Sequence, residues 1–203
     1  MAFSRTGKFA YVTDIANNDV LGFTVDQQTG GLAPFAGSPF KTESFPWSIA
    51  AAPSADFVYV TNSGSDNISA YHVDDSGTLT PITGSPFVAG SEPLAITIDP
   101  ISMFTYVTND RSNSVSAYTI DLDTGALHSV NGSPFATDLG PNFVIVGPSN
   151  KFLYVNNVSA ETISVYAIDP STGALAQIAG SPFLESESEP DSIAVTGVPA
   201  TGR

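Results

Sequence analysis

Short apolar runs, each cut off by a Pro, Gly or Asp turn, fill this chain and return at a fixed period. In one unit Pro46-Trp47-Ser48-Ile49-Ala50-Ala51 opens on a proline and alternates Trp47, Ile49 and Ala51 with small residues, the two-residue period of a strand. A Pro53-Ser54-Ala55-Asp56 turn leads to Phe57-Val58-Tyr59-Val60-Thr61, whose aromatic and β-branched residues suit a second strand. Polar residues 62–67 precede a third strand over 68–73, and Asp74-Asp75-Ser76-Gly77 turns the chain into a fourth over 79–82. We term these strands A to D. Connections this short predict antiparallel neighbours, and no capped segment of helical period appears, so the pattern predicts an all-β fold.

The unit recurs. Its second strand starts at Phe9, Phe57, Phe104 and Phe152, spaced by 48, 47 and 48 residues, and Gly-Ser-Pro-Phe follows at residues 37–40, 84–87, 132–135 and 180–183. Four strands repeated at this period predict propeller blades, with repeats at about 1–45, 46–92, 93–140 and 141–189. Gly-Ser-Pro-Phe is expected to end the outer strand, because proline donates no ladder hydrogen bond. The first repeat has only Met1-Ala2-Phe3 where strand A belongs, while Pro190-Asp191-Ser192-Ile193-Ala194-Val195 resembles a spare strand A over 190–196. The expectation is a β-propeller of four four-stranded antiparallel blades. The spare strand completes the first blade either in cis or in trans, as a head-to-tail homodimer closing an eight-bladed ring.

Composition narrows the chemistry. The 203 residues are 42% hydrophobic with no Cys, which excludes disulfides, thiol nucleophiles and Cys-based zinc sites. A net charge of −14 argues against nucleic acid as a partner. No apolar run is long enough for a membrane span and the first residues lack a signal-peptide plan, so a soluble chain is expected, its compartment open. No Gly-rich phosphate loop, His-Glu-x-x-His segment, nucleophile elbow or EF-hand pattern occurs, and neither a cofactor nor a metal is expected.

Tyr59-Val60-Thr61-Asn62 and Tyr106-Val107-Thr108-Asn109, with the variants Tyr11-Val12-Thr13-Asp14 and Tyr154-Val155-Asn156-Asn157, spell the tetrapeptide of YVTN β-propeller repeats. With the Gly-Ser-Pro-Phe segments, the chain resembles the bacterial lactonase-like seven-bladed propeller family over essentially its whole length. That resemblance implies lactone chemistry of the 6-phosphogluconolactonase kind, performed by His, Arg and Glu around a central channel, and seven blades where this chain has four.

Candidate residues follow from position. Arg111, in the loop between strands B and C, is placed at the channel mouth, where it suits an anion or carboxylate. Trp47, the single Trp, starts strand A and is a candidate stacking platform for a sugar or aromatic ligand. Asn62 and Asn109, ending their strands B, are candidates to present amides to a ligand. His72 and His128 read as strand-surface residues. The loops between strands B and C and the crossings between blades carry many Asp and Glu, predicting an acidic face.

The few reactive side chains favour a non-catalytic scaffold that binds a protein, carbohydrate or small molecule through its acidic loop face. The alternative is a lactone hydrolase, or part of one. For such an enzyme the scarcity of Arg and Lys argues against an anionic sugar phosphate as substrate.

Overall fold

A computed structural model describes residues 1–101 and 103–184. The spare strand expected over 190–196 and the crossing carboxylates Glu185, Glu187 and Glu189 lie outside them. Blade 1 contains β1 (Ala2–Phe3), β2 (Phe9–Asp14), β3 (Asp19–Val25), β4 (Leu32–Pro34) and β5 (Phe40–Lys41). Blade 2 contains β6 (Pro46–Ala51), β7 (Phe57–Asn62), β8 (Asn67–Val73), β9 (Leu79–Pro81) and β10 (Phe87–Val88). Blade 3 contains β11 (Pro93–Ile98), β12 (Phe104–Asn109), β13 (Ser114–Ile120), β14 (Leu127–Ser129) and β15 (Phe135–Ala136). Blade 4 contains β16 (Pro141–Val146), β17 (Phe152–Asn157), β18 (Thr162–Ile168), β19 (Leu175–Gln177) and β20 (Phe183–Leu184). Each blade is one antiparallel sheet, and successive blades pack side by side through their inner strands. Among the described residues no helix is long and apolar enough to cross a membrane.

Each blade has the four antiparallel strands expected, but its outer strand is in two segments that pair the same strand C, because Gly-Ser-Pro-Phe interrupts the outer strand instead of ending it. In blade 2, Val73 faces Leu79 on one half of β8, and Phe87 faces Ile68 on the other. Between them Gly84 takes φ +90°, the Ser85-Pro86 bond is cis, and Ser85 Oγ accepts the Ala70 N–H at 2.9 Å. That hydroxyl replaces the ladder acceptor lost where the chain detours. Ser38, Ser133 and Ser181 do the same for Gly22, Ala117 and Val165.

The recurring tetrapeptide is explained by the joints. Tyr11, Tyr59 and Tyr106 are fully buried, and each hydroxyl donates to a turn carbonyl of the next blade: Gly77 at 2.7 Å, Gly125 at 2.9 Å and Gly173 at 3.1 Å. The following Val points the other way, into the joint with the preceding blade, as Val60 and Val107 do. Thr61 and Thr108 accept the N–H groups of Ser48 and Ala95, which a bulge in the inner strand takes off the ladder. Asn62 and Asn109 bind side chains of strand C through their amides.

Candidate functional site

The mouth of the arc is built by loops whose backbone is held in an uncommon conformation. Phe45 and Glu92, which end the crossings into blades 2 and 3, have φ of +54° and +55°, a region that bulky residues seldom occupy. Gly140 occupies the same place before blade 4 at +70°. Each N–H there is taken by a side chain from the preceding blade's B–C loop: Asn18 Oδ1 for Phe45 at 2.8 Å, Asp66 Oδ1 for Glu92 at 2.7 Å, Asn113 Oδ1 for Gly140 at 3.0 Å. Left-handed backbone retained at non-glycine residues marks positions where side chain and direction are both wanted.

Phe45, Trp47, Gly64, Asp66, Glu92 and Arg111 line a cleft of about 420 Å³ between blades 2 and 3, together with Ser63 and Ser91. Phe45 is 57% and Trp47 51% exposed, two aromatic faces turned to solvent beside polar walls. Gly64 allows this, since a Cβ there would lie 2.5 Å from the Phe45 ring. At the equivalent place in blade 3 stands Arg111, largely exposed and ion-paired with Glu92. Burial raises the Asp110 carboxyl above its ordinary range, the Glu92 charge adds to this, and Arg111 opposes it. Trp47 also borders a second cleft, of about 530 Å³, along the channel-facing strands, where Ser48, Thr97, Asn142 and Phe143 contribute. The bulge at β6 sets the direction of Trp47, the side chain shared by mouth and channel.

Of the candidates read from the sequence, Trp47 and Arg111 therefore meet in one cleft. Asn62 and Asn109 do not. Both are fully buried, and their amide nitrogens are spent on Asn67 and Ser69, and on Ser114 and Ser116. Their Oδ1 atoms accept Thr42 and Gly90. Such Asn side chains brace the B–C loops and have no amide left to offer a ligand. The rings of His72 and Phe57 meet edge to face with centroids 5.7 Å apart, at the opposite face, beside the Arg5–Asp56 pair. His128 lies opposite Thr119 on the outer strand β14. Among the described residues no three His, Asp or Glu side chains gather at metal-binding range.

Phe45 and Glu92 escape a reading based on residue type, since an exposed Phe and one more carboxylate on an acidic face carry no motif. The repeat itself holds the signal. Aligning the units puts Phe45, Glu92 and Gly140 in one column, and a glycine there implies positive φ for its counterparts.

The sequence matches the family described as lactonase, 7-bladed beta-propeller, over residues 1–145 and again over 92–188. No curated protein sequence matches it. Among solved structures, a provisionally assigned 6-phosphogluconolactonase from Bacteroides uniformis superposes with a TM-score of 0.82 at 20% identity, covering 93% of this chain and 55% of that one. One from Bacteroides fragilis, likewise provisionally assigned, gives 0.80 at 20%, over 94% and 55%. The Pseudomonas aeruginosa periplasmic gluconolactonase gives 0.73 at 19%, over 89% and 54%. The chain thus spans little more than half the length of these structures.

Proposed function

From the premise that the chain belongs to the lactonase seven-bladed β-propeller family, we propose that its cleft between blades 2 and 3 binds and opens an uncharged sugar lactone. The observation that carries this reading is the meeting of two exposed aromatic faces, Phe45 and Trp47, with the Arg111–Glu92 pair in one cleft. A sugar ring has apolar C–H faces and a polar rim, and a cleft with aromatic walls and a few placed polar groups meets both. Family membership together with this cleft favours lactone chemistry over the non-catalytic scaffold that the sequence put first.

The chemistry assigns a role to each group. The ring lies across Trp47, and Glu92 takes a proton from a water that attacks the lactone carbonyl. Arg111 holds the oxygen on which negative charge develops. The ring C–O bond then breaks, the alkoxide receives the proton, and a hydroxy acid leaves. A phosphorylated lactone fits less well, because the one guanidinium of the cleft is already neutralised by Glu92 and set among further carboxylates.

Trp47 is the only Trp, so tryptophan fluorescence reports on this cleft and on the channel-facing one that Trp47 also borders. Adding glucono-δ-lactone to the full chain is expected to change that fluorescence saturably and to raise the rate of ring opening above the spontaneous one. Arg111→Met should lower kcat by about 100-fold, whereas Trp47→Ala should act mainly by raising KM, by about tenfold. Saturable fluorescence with no added rate would return the protein to a binding role. Neither signal would remove the cleft from consideration.

A further inference from the structure

Three closed joints show what one blade requires of the next, and the two outer faces of the chain carry the two halves of a fourth. At each closed joint the leading face offers Phe and Tyr of strand B, two residues of strand C and the Phe of Gly-Ser-Pro-Phe. The trailing face offers Val of strand B, Tyr of strand C, Leu of the outer strand and a turn glycine. On blade 4 the leading set is Phe152, Tyr154, Ile163, Val165 and Phe183, which together form an open apolar trough of about 310 Å³. On blade 1 the trailing set is Val12, Phe23, Val25, Leu32 and Gly30. Leu32 is 46% exposed, where Leu79, Leu127 and Leu175 are 5–8%.

The glycines show the match most sharply. A Cβ on Gly77 or Gly125 would stand 2.5 Å from the ring of Phe9 or Phe57 of the preceding blade, whereas none of the described residues lies within 4 Å of one on Gly30. Gly30 keeps the same left-handed backbone, φ +73°, with no described residue in the place that a preceding Phe takes elsewhere. The ring of Phe152 is the corresponding Phe on blade 4, and Tyr154 carries the hydroxyl that its equivalents give to the turn glycine's carbonyl.

We propose that these faces join head to tail between two copies of this chain, blade 4 of each on blade 1 of the other, closing an eight-bladed ring. The contact continues the internal joints and uses the same residue types in the same places. One two-fold axis closes both junctions, so the assembly stops at two. Relative to a seven-bladed ring, each blade-to-blade rotation relaxes by about 6°, within the range of four to eight blades over which propellers are built. The joint lacks one of its side-chain donors. Tyr71, Tyr118 and Tyr166 donate to the carbonyls of Lys41, Val88 and Ala136 in the preceding blade, but blade 1 has Phe23 in that column. With that donor absent and only the two residues of β1 on the inner side of blade 1, the intermolecular junction is weaker than the internal ones.

Sedimentation equilibrium of the full chain from about 1 to 100 μM, a range that brackets ordinary dimer affinities, tests this. The expected species is twice the 21.1 kDa chain mass. Gly30→Asn keeps a residue tolerated at positive φ but places a Cβ against Phe152, and should abolish the dimer while leaving the circular dichroism unchanged. Phe23→Tyr restores the missing donor and should tighten association by about two- to tenfold. A monomer throughout would overturn the proposal, leaving both faces to blades of a longer chain. So would species that grow beyond two copies, or a dimer indifferent to both substitutions. The readout is mass, independent of any lactone.

Discussion

Strand β12 of blade 3 and strand β2 of blade 1 read Phe-Thr-Tyr-Val-Thr-Asn and Phe-Ala-Tyr-Val-Thr-Asp, yet their surroundings differ. All six residues of β12 are buried, whereas in β2 only Ala10 and Tyr11 are, the other four being partly exposed. Blade 3 has a full inner strand and a neighbour on each side, while β1 pairs only Ala2 and Phe3 with Tyr11 and Ala10, leaving Val12, Thr13 and Asp14 without an inner partner among the described residues. Burial here belongs to the joint rather than to the strand. A closed joint and an open face made from the same residues provide an internal control for each substitution.

The largest expected effect is alkaline. Burial raises the hydroxyls of Tyr11, Tyr59 and Tyr106 far above the ordinary tyrosine value, and a nearby carboxylate adds to each: Asp74, Asp121 and Asp99 in turn. Below about pH 10 folded and unfolded chains both keep these protons, and no penalty arises. Above it the unfolded chain releases them while the folded one holds them, so stability falls as pH rises, by up to about 4 kcal/mol per unit for the three together. Urea melts between pH 8 and 11 should show a flat region and then a steep loss. A melt unchanged at pH 11 would contradict the closed joints.

Next in size is a paired truncation. Leu127→Ala removes a side chain that is 6% exposed at the joint of blades 2 and 3 and should cost about 3 kcal/mol. Leu32→Ala, at the same place on the open face, should cost under about 0.5 kcal/mol in solution dilute enough to separate the copies. Gly125→Asn should then cost about 2 kcal/mol by driving a Cβ into the Phe57 ring, while Gly30→Asn leaves the melt of the separated chain within about 0.5 kcal/mol. Equal losses at both glycines would mean that left-handed backbone, rather than the neighbouring ring, sets the cost.

The repeat made most of the fold legible. The period, the strand order and the all-β class follow from Phe9, Phe57, Phe104 and Phe152 and the turns between them, because alternation and turn chemistry are local properties. Gly-Ser-Pro-Phe was harder to place, since a proline tells that the ladder breaks and not that a serine hydroxyl will carry it across the gap. The site was legible in part. Trp47 and Arg111 stand out as the lone Trp and a lone loop Arg, but Phe45 and Glu92 gain their roles from a backbone conformation stored in a long-range hydrogen bond. Asn62 and Asn109 mislead for the converse reason: a polar residue at a strand end reads as exposed until the loop that folds over it is known.

The smallest effect separates the hydrogen bond from the packing. Tyr59→Phe keeps the ring in the joint of blades 2 and 3 and deletes only the hydroxyl that donates to Gly125, leaving a buried carbonyl without that donor. The expected cost is about 1 kcal/mol, between a net hydrogen bond and a full desolvation penalty. Tyr154→Phe makes the same deletion on the open face, where the carbonyl it would meet belongs to another blade, and should leave the separated chain's melt unchanged. Tyr59→Phe should also reduce the alkaline loss, because one of the protons that the folded chain retains is gone. If instead both substitutions cost the same, the hydroxyls would be serving their own sheet, and the joint would owe its closure to the Phe–Gly contact alone.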